Sequence, residues 1–186
     1  MTTLSLIGWL GTAIYLLNYA YISLLPVWRK WIFFGGNLIA ALCLILSSTV
    51  IGSWQAVAVN GFWAMISLLL LIGIRIALPL LFIRLIWVMA GLFGFAIILA
   101  CFKGIALTIS LFGWSSVFIF CCGYLLFSAQ HMAPRHYFIL NTYAALALMP
   151  QLWLDNNWAV FWLEVIWASL SLLGVIQKTT QPHLVD

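Results

Sequence analysis

The chain has 186 residues, 67% of them hydrophobic and only 5% charged, with a mean hydropathy of +1.21. Soluble domains carry about 25% charged residues, so water is excluded as the main solvent, and apolar runs that are continuous rather than alternating argue against a transmembrane barrel. The net charge of +4 comes from few ionisable groups, with no basic stripe to track phosphates, which argues against a nucleic-acid partner.

A membrane-spanning helix needs about 20 apolar residues, and seven such segments are predicted, over residues 4–25, 31–51, 54–74, 80–102, 105–127, 136–154 and 157–176. The first lacks the basic flank of a cleaved leader and is long enough to span, so it is expected to persist as a helix. Tyr19 ends it as a gate or an interface anchor. The second carries Asn37 on one face with Ala40, Ala41 and Leu44, where small residues allow close helix approach and an amide can bridge to a neighbour. The third opens at Trp54, which suits an aromatic belt. Deeper in it, Asn60, Trp63 and Ser67 fall within about 60° on one helical face. The fourth has a start crowded by Arg75, Pro79 and Arg84. Proline suits a first helical turn, and an arginine there can snorkel to the interface.

The fifth segment ends near Tyr124 and is followed by His131, Arg135 and His136. Histidines five apart on a helix would lie about 140° from each other, a poor chelate, so headgroup contact or solvation is the reading. The sixth repeats the bridging pattern with Asn141, Ala144, Ala145 and Leu148. The seventh opens at Trp158 and presents Glu164, Trp167 and Ser171 in the register of Asn60, Trp63 and Ser67. Only the stretch "QKTTQPHLVD" after Ile176 looks soluble, and it is too short to be a domain. Cys43, Cys101, Cys121 and Cys122 lie inside apolar runs without CxxC spacing and read as small packing residues, not as a disulfide or metal set. No HExxH motif, phosphate loop or nucleophile–base set appears, so neither an enzyme nor a cofactor or metal site is expected.

Basic residues orient the bundle. With the N-terminus outside, Arg29, Lys30, Arg75, Arg84, Arg135 and Lys178 collect on the cytoplasmic side and Lys103 alone lies opposite. A duplication is also visible. "SWQAVAVNGFWAMISLL" from Ser53 matches "NWAVFWLEVIWASLSLL" from Asn157 at an offset of 104, and "FFGGNLIAALCL" matches "YFILNTYAALAL" at the same offset. "LIGW" ending at Trp9 matches "LFGW" ending at Trp114 at an offset of 105, which brings Tyr19 onto Tyr124. Each copy holds three helices, an odd number, so the unmatched helix between them restores the orientation. The expected fold is an all-α integral membrane protein of seven transmembrane helices, two parallel triple-helix repeats joined by one linker helix (3+1+3). Residues 1–74 form the first repeat, 75–104 the linker with the fourth helix, 105–176 the second repeat, and 177–186 a cytoplasmic tail.

This plan, the outside N-terminus and the Gly-aromatic opening of each copy resemble the SWEET and PQ-loop families of solute transporters. Each copy is also similar to small bacterial membrane proteins one repeat long. The Pro-Gln dipeptide late in the first helix of those relatives is missing here, where "LLNYAYISLLP" and "CCGYLLFSAQH" stand in its place, and Pro150-Gln151 ends the sixth helix instead. The resemblance implies alternating access around a central pocket, with Asn60 and Glu164 as the counterparts of a polar residue on the third helix of each repeat.

Several readings of these residues stay open. An ionisable group in the membrane interior costs about 2.5–3.5 kcal/mol on insertion scales, and Glu164 lies roughly 10 Å inside its helix. It is either a substrate or proton site, or a glutamate that fixes packing, paired with Lys103 or protonated. Trp63 and Trp167 offer indole faces that stack on sugars, nucleosides or cations, and they suit bundle packing equally. The expected partners are the lipid bilayer and a small polar solute, in a bacterial inner membrane. The alternative is a membrane scaffold that transports nothing and whose polar stripe only holds helices together.

Overall fold

Long apolar segments without a period-2 pattern can satisfy their backbone in lipid only as helices, and the chain follows that rule. The computed structural model describes residues 3–24, 27–74, 77–129, 131–176 and 183–185. Among them are seven helices: α1 (Thr3–Leu24), α2 (Lys30–Val50), α3 (Trp54–Leu71), α4 (Leu80–Cys101), α5 (Ile105–Ser128), α6 (Pro134–Leu154) and α7 (Trp158–Ile176). Five of them, α2, α3, α4, α5 and α7, are long and apolar enough to cross a membrane. α1 and α6 have similar lengths of 22 and 21 residues, and α6 is the more polar of the two, with Arg135, His136, Asn141 and Gln151. Arg75 and Lys178, used to orient the bundle, and most of the tail lie outside the described residues.

The helix ends have identifiable causes. α3 stops at Leu71, short of the apolar run to residue 74, because Gly73 takes a left-handed conformation (φ +81°). Its N–H donates to the Leu70 carbonyl at 3.2 Å and the N–H of Ile74 donates to that of Leu69 at 3.0 Å, which is the Schellman arrangement. Hydropathy alone does not register this stop. α2 ends the same way at Gly52 (φ +72°), with Ser53 N–H donating to the Ser48 carbonyl at 2.9 Å. After α6, the matching position is Asn156 (φ +55°), and asparagine is the other residue that tolerates this region. A parallel pairing of β1 (Val27–Arg29) with β2 (His183–Val185), in the register Val27 to His183, was not anticipated. Three residues are too few to show a strand periodicity.

The chain divides into two compact units, one of Met1–Arg75, Asp155–Leu163 and Thr179–Asp186, the other of Ile76–Leu154 and Glu164–Lys178. In the first, Tyr15, Ala40, Ala41, Leu44 and Val160 are buried. α1 comes so close to α2 that a Cβ added at Gly11 would lie 2.9 Å from the Ala40 carbonyl oxygen. In the second, Phe120, Leu126, Ala144, Ala145 and Leu148 are buried, and Ser116 Oγ donates to the Ala144 carbonyl at 2.6 Å. Gly11 and Ser116 are repeat equivalents, as are Ala40 and Ala144. Each copy thus brings its first helix onto the same carbonyl, once by removing a side chain and once by a hydroxyl.

α4 differs from the others. Only Ile86 and Ala100 are buried in it, while Leu81, for example, is 78% exposed. Covering a leucine is worth about 1.5–3 kcal/mol relative to leaving it in water, so a helix of this kind requires lipid as its solvent.

Candidate functional site

The two third-position helices bury the same stripe. On α3, Asn60 is 4% exposed, Ala56, Ala64 and Ser67 are buried and Trp63 is half-buried. On α7, Glu164 is 6% exposed, Val160, Ala168 and Ser171 are buried and Trp167 is half-buried. The helical period explains the pattern, since residues three, four and seven apart share a face. Trp54 and Trp158, which open the two helices, are exposed.

The polar groups on these stripes have different surroundings. In the first unit, Asn60 Nδ2 donates back to the Ala56 carbonyl at 2.9 Å. Trp63 meets the buried Tyr15 edge-on, with ring centroids 5.5 Å apart and planes at 79°. In the second unit, Trp167 Nε1 donates to Asn141 Oδ1 at 3.3 Å, and Asn141 Nδ2 donates to the Tyr137 carbonyl at 2.8 Å. The Oε2 of Glu164 is buried with no hydrogen-bond partner. A buried carboxylate oxygen without a donor is costly, because desolvation is not offset by a bond.

Asn37 and Asn141 tie helices together. Asn37 Oδ1 accepts from Asn18 Nδ2 at 2.7 Å, which joins α2 to α1, and Asn141 joins α6 to α7 through Trp167. Gly36 makes room for the first contact, since a Cβ there would lie 3.0 Å from the Asn18 amide. Tyr19 on α1 and Tyr124 on α5 are half-buried.

Sequence reasoning passed over a polar cluster in the first unit. Ser53 Oγ donates to Asp155 Oδ2 at 2.6 Å, Asn157 Nδ2 donates to Ser48 Oγ at 2.9 Å, and Thr12 Oγ1 donates to the Ala159 carbonyl at 2.8 Å. The turn before α3 is thereby bonded to the turn before α7. The signal that could have found it is the repeat itself, which puts Ser53 and Asn157 at one position. Asn18 gave no such signal, because its repeat equivalent is Gly123.

Among the described residues, no group of three or more His, Cys, Asp or Glu side chains is placed to hold a metal ion, and all four cysteines are free thiols. Two cavities in the second unit, of about 300 and 240 Å³, run along α4 and α6, and none of the predicted site residues lines either.

No curated protein and no solved structure matches the chain. One protein-family model matches it twice, over residues 4–76 and again over 109–181. These segments begin in α1 and α5 and run through the third helix of each copy, so the duplication read from side-chain spacing is recovered independently. Together they cover well over half of the sequence, and the protein is therefore a multi-pass helical membrane member of that family, carrying its unit twice.

Proposed function

We propose that the protein is a transporter of a small polar solute, sugar-, nucleoside- or vitamin-like, and that it works by alternating access. One observation carries the reading: Glu164 is buried in an apolar helix with an oxygen that no protein group satisfies. An ionisable side chain inside a membrane bundle marks a substrate or ion pathway by default. Ser171 and Trp167 share its face, and Asn60, Trp63 and Ser67 occupy the matching places in the other copy. Internal repeats with a site formed from equivalent positions are the usual build of secondary transporters. The likeness of the 3+1+3 order to the SWEET and PQ-loop families supports the same conclusion.

In this reading the two copies differ in their polar group, a neutral amide in one and a carboxyl in the other. That suits a solute with a hydroxylated end and a donor-rich end, or proton coupling through Glu164. The bacterial inner membrane, with the N-terminus outside, is the proposed setting, and transport without catalysis is the proposed activity. Uptake into proteoliposomes by the full chain tests it, with labelled sugars, nucleosides and vitamin precursors and with and without an imposed pH gradient. Saturable uptake of one solute that Glu164→Gln abolishes is the expected result. Absence of uptake across the panel would count against transport.

A scaffold role is the second reading, favoured by a specific observation. Asn37 and Asn141 are both engaged in helix-to-helix bonds, and Asn60 bonds its own helix. If no solute is taken up and Glu164→Gln only lowers the unfolding temperature, this reading replaces the first.

A further inference from the structure

We propose that the groove along α4 and α6 binds one anionic phospholipid, with its phosphate at His131 and His136 and an acyl chain in the trough beyond. The two cavities adjoin at Leu140, which lines both. The first, of about 300 Å³, is lined by His131, His136, Trp87 and Met132. The second, of about 240 Å³, continues over Phe93, Gly94, Ile97 and Ile119. From Trp87 to Ile97 the two cavities together extend along α4 for about 15 Å at 1.5 Å per residue, the length of much of an acyl chain. Ser115 and Tyr143 are the polar side chains along this trough, and their hydroxyls are hydrogen-bonded to each other at 2.8 Å. The trough therefore offers a chain an apolar lining and the mouth offers a headgroup nitrogen donors.

Charge identifies the headgroup. Arg135 lies between the two histidines in sequence and is exposed, and the exposed Arg84 lies one turn before Trp87 on α4. No aspartate or glutamate occurs before Asp155, so residues 76–154 of this unit contain no carboxylate to balance these cations. An anion at the mouth has to come from outside the segment, and in a bilayer the abundant source is a phospholipid phosphate. An exposed interfacial tryptophan beside basic residues is a common boundary for such a headgroup. The groove owes nothing to Asn60 or Glu164, so it stands whether or not the chain transports a solute.

The test uses the full chain, delipidated in detergent and then reconstituted with an equimolar mixture of dioleoyl phosphatidylglycerol and dioleoyl phosphatidylcholine. Lipid retained after repurification is quantified. Phosphatidylglycerol is expected to be enriched about fivefold, the ratio set by roughly one basic contact at a membrane surface. Arg135→Gln removes the preference, since it changes charge without touching the apolar trough, whereas His131→Ala with His136→Ala lowers retention of both lipids, since both carry the phosphate. Gly94→Leu reduces retention of both lipids, and it has room, since a Cβ at Gly94 meets nothing within 4 Å. Equal retention of the two lipids by the unaltered protein overturns the proposal. So does an unchanged preference in Arg135→Gln, unchanged retention in the histidine variant, or a thermal stabilisation that soluble glycerol phosphate reproduces without acyl chains.

Discussion

The close approach of α1 to α2 makes Gly11→Ala the sharpest structural prediction. A methyl at Gly11 would lie 2.9 Å from the Ala40 carbonyl oxygen, 2.9 Å from Cys43 Cβ and 3.0 Å from Leu44 Cγ. Carbon atoms pack best at about 3.5–4.0 Å, so the new group sits about half an ångström or more too deep against two carbons and also crowds the carbonyl oxygen. That oxygen is backbone and cannot rotate away. Overpacking of this kind costs about 1–3 kcal/mol. Alanine also gains helix propensity, which Gly91→Ala on α4 measures separately, because nothing lies within 4 Å of a Cβ there. The difference between the two variants isolates the clash and should be about 2–12 °C in unfolding temperature for a chain of this size. Tryptophan fluorescence during thermal unfolding in detergent reads it, since the chain has 11 tryptophans. Equal unfolding temperatures for the two variants would refute the helix contact.

The remaining structural predictions concern hydrogen bonds and turns. Trp167→Phe deletes the donor to Asn141 and should cost about 0.6 kcal/mol, with a ceiling near 1.7; Asn141→Leu should then cost less in that background than alone, as a double-mutant cycle in thermal unfolding would show. Ser53→Ala and Asp155→Ala break the same bond, so each should lower stability by about 1 kcal/mol and the pair should lose clearly less than the sum. Asn156→Val places a β-branched residue at φ +55° and should lose about 1–2 kcal/mol, whereas Asn156→Gly should be neutral or better.

How much could be read beforehand follows from where each feature is encoded. Helix number and placement come from runs of apolar residues, and the repeat comes from matched spacing, so both were legible. The end of α3 was not, because it depends on one backbone dihedral at Gly73. The stripes on α3 and α7 were read from the helical period, and Asn60 and Glu164 are buried on them. Their surroundings were hidden, since a contact depends on what the neighbouring helix presents. Trp63 meets Tyr15, but the repeat equivalent of Tyr15 is Phe120, so the duplication kept the ring and dropped the hydroxyl. Asn37 is bonded to Asn18, whose equivalent is a glycine. Divergence between the copies removed the symmetry that would have let one half predict the other. The cluster of Ser48, Ser53, Asp155 and Asn157 was overlooked because turn residues are ordinarily polar, and nothing in their composition distinguishes a buried bond from a solvated one.

Solute-dependent thermal stabilisation of the purified full chain is the most direct test of the central proposal, that Glu164 serves a solute. Sugars, nucleosides, vitamin precursors and small cations would be screened against the unaltered protein and against Glu164→Gln, which keeps the shape of the side chain. A ligand present at about 100 times its Kd should stabilise by about 2.7 kcal/mol, a shift well above experimental scatter. The account predicts that one class of solute raises the unfolding temperature and that Glu164→Gln removes the shift while remaining folded. A stabilising solute whose effect survives Glu164→Gln, or a panel without effect beside a variant that is merely less stable, would contradict it.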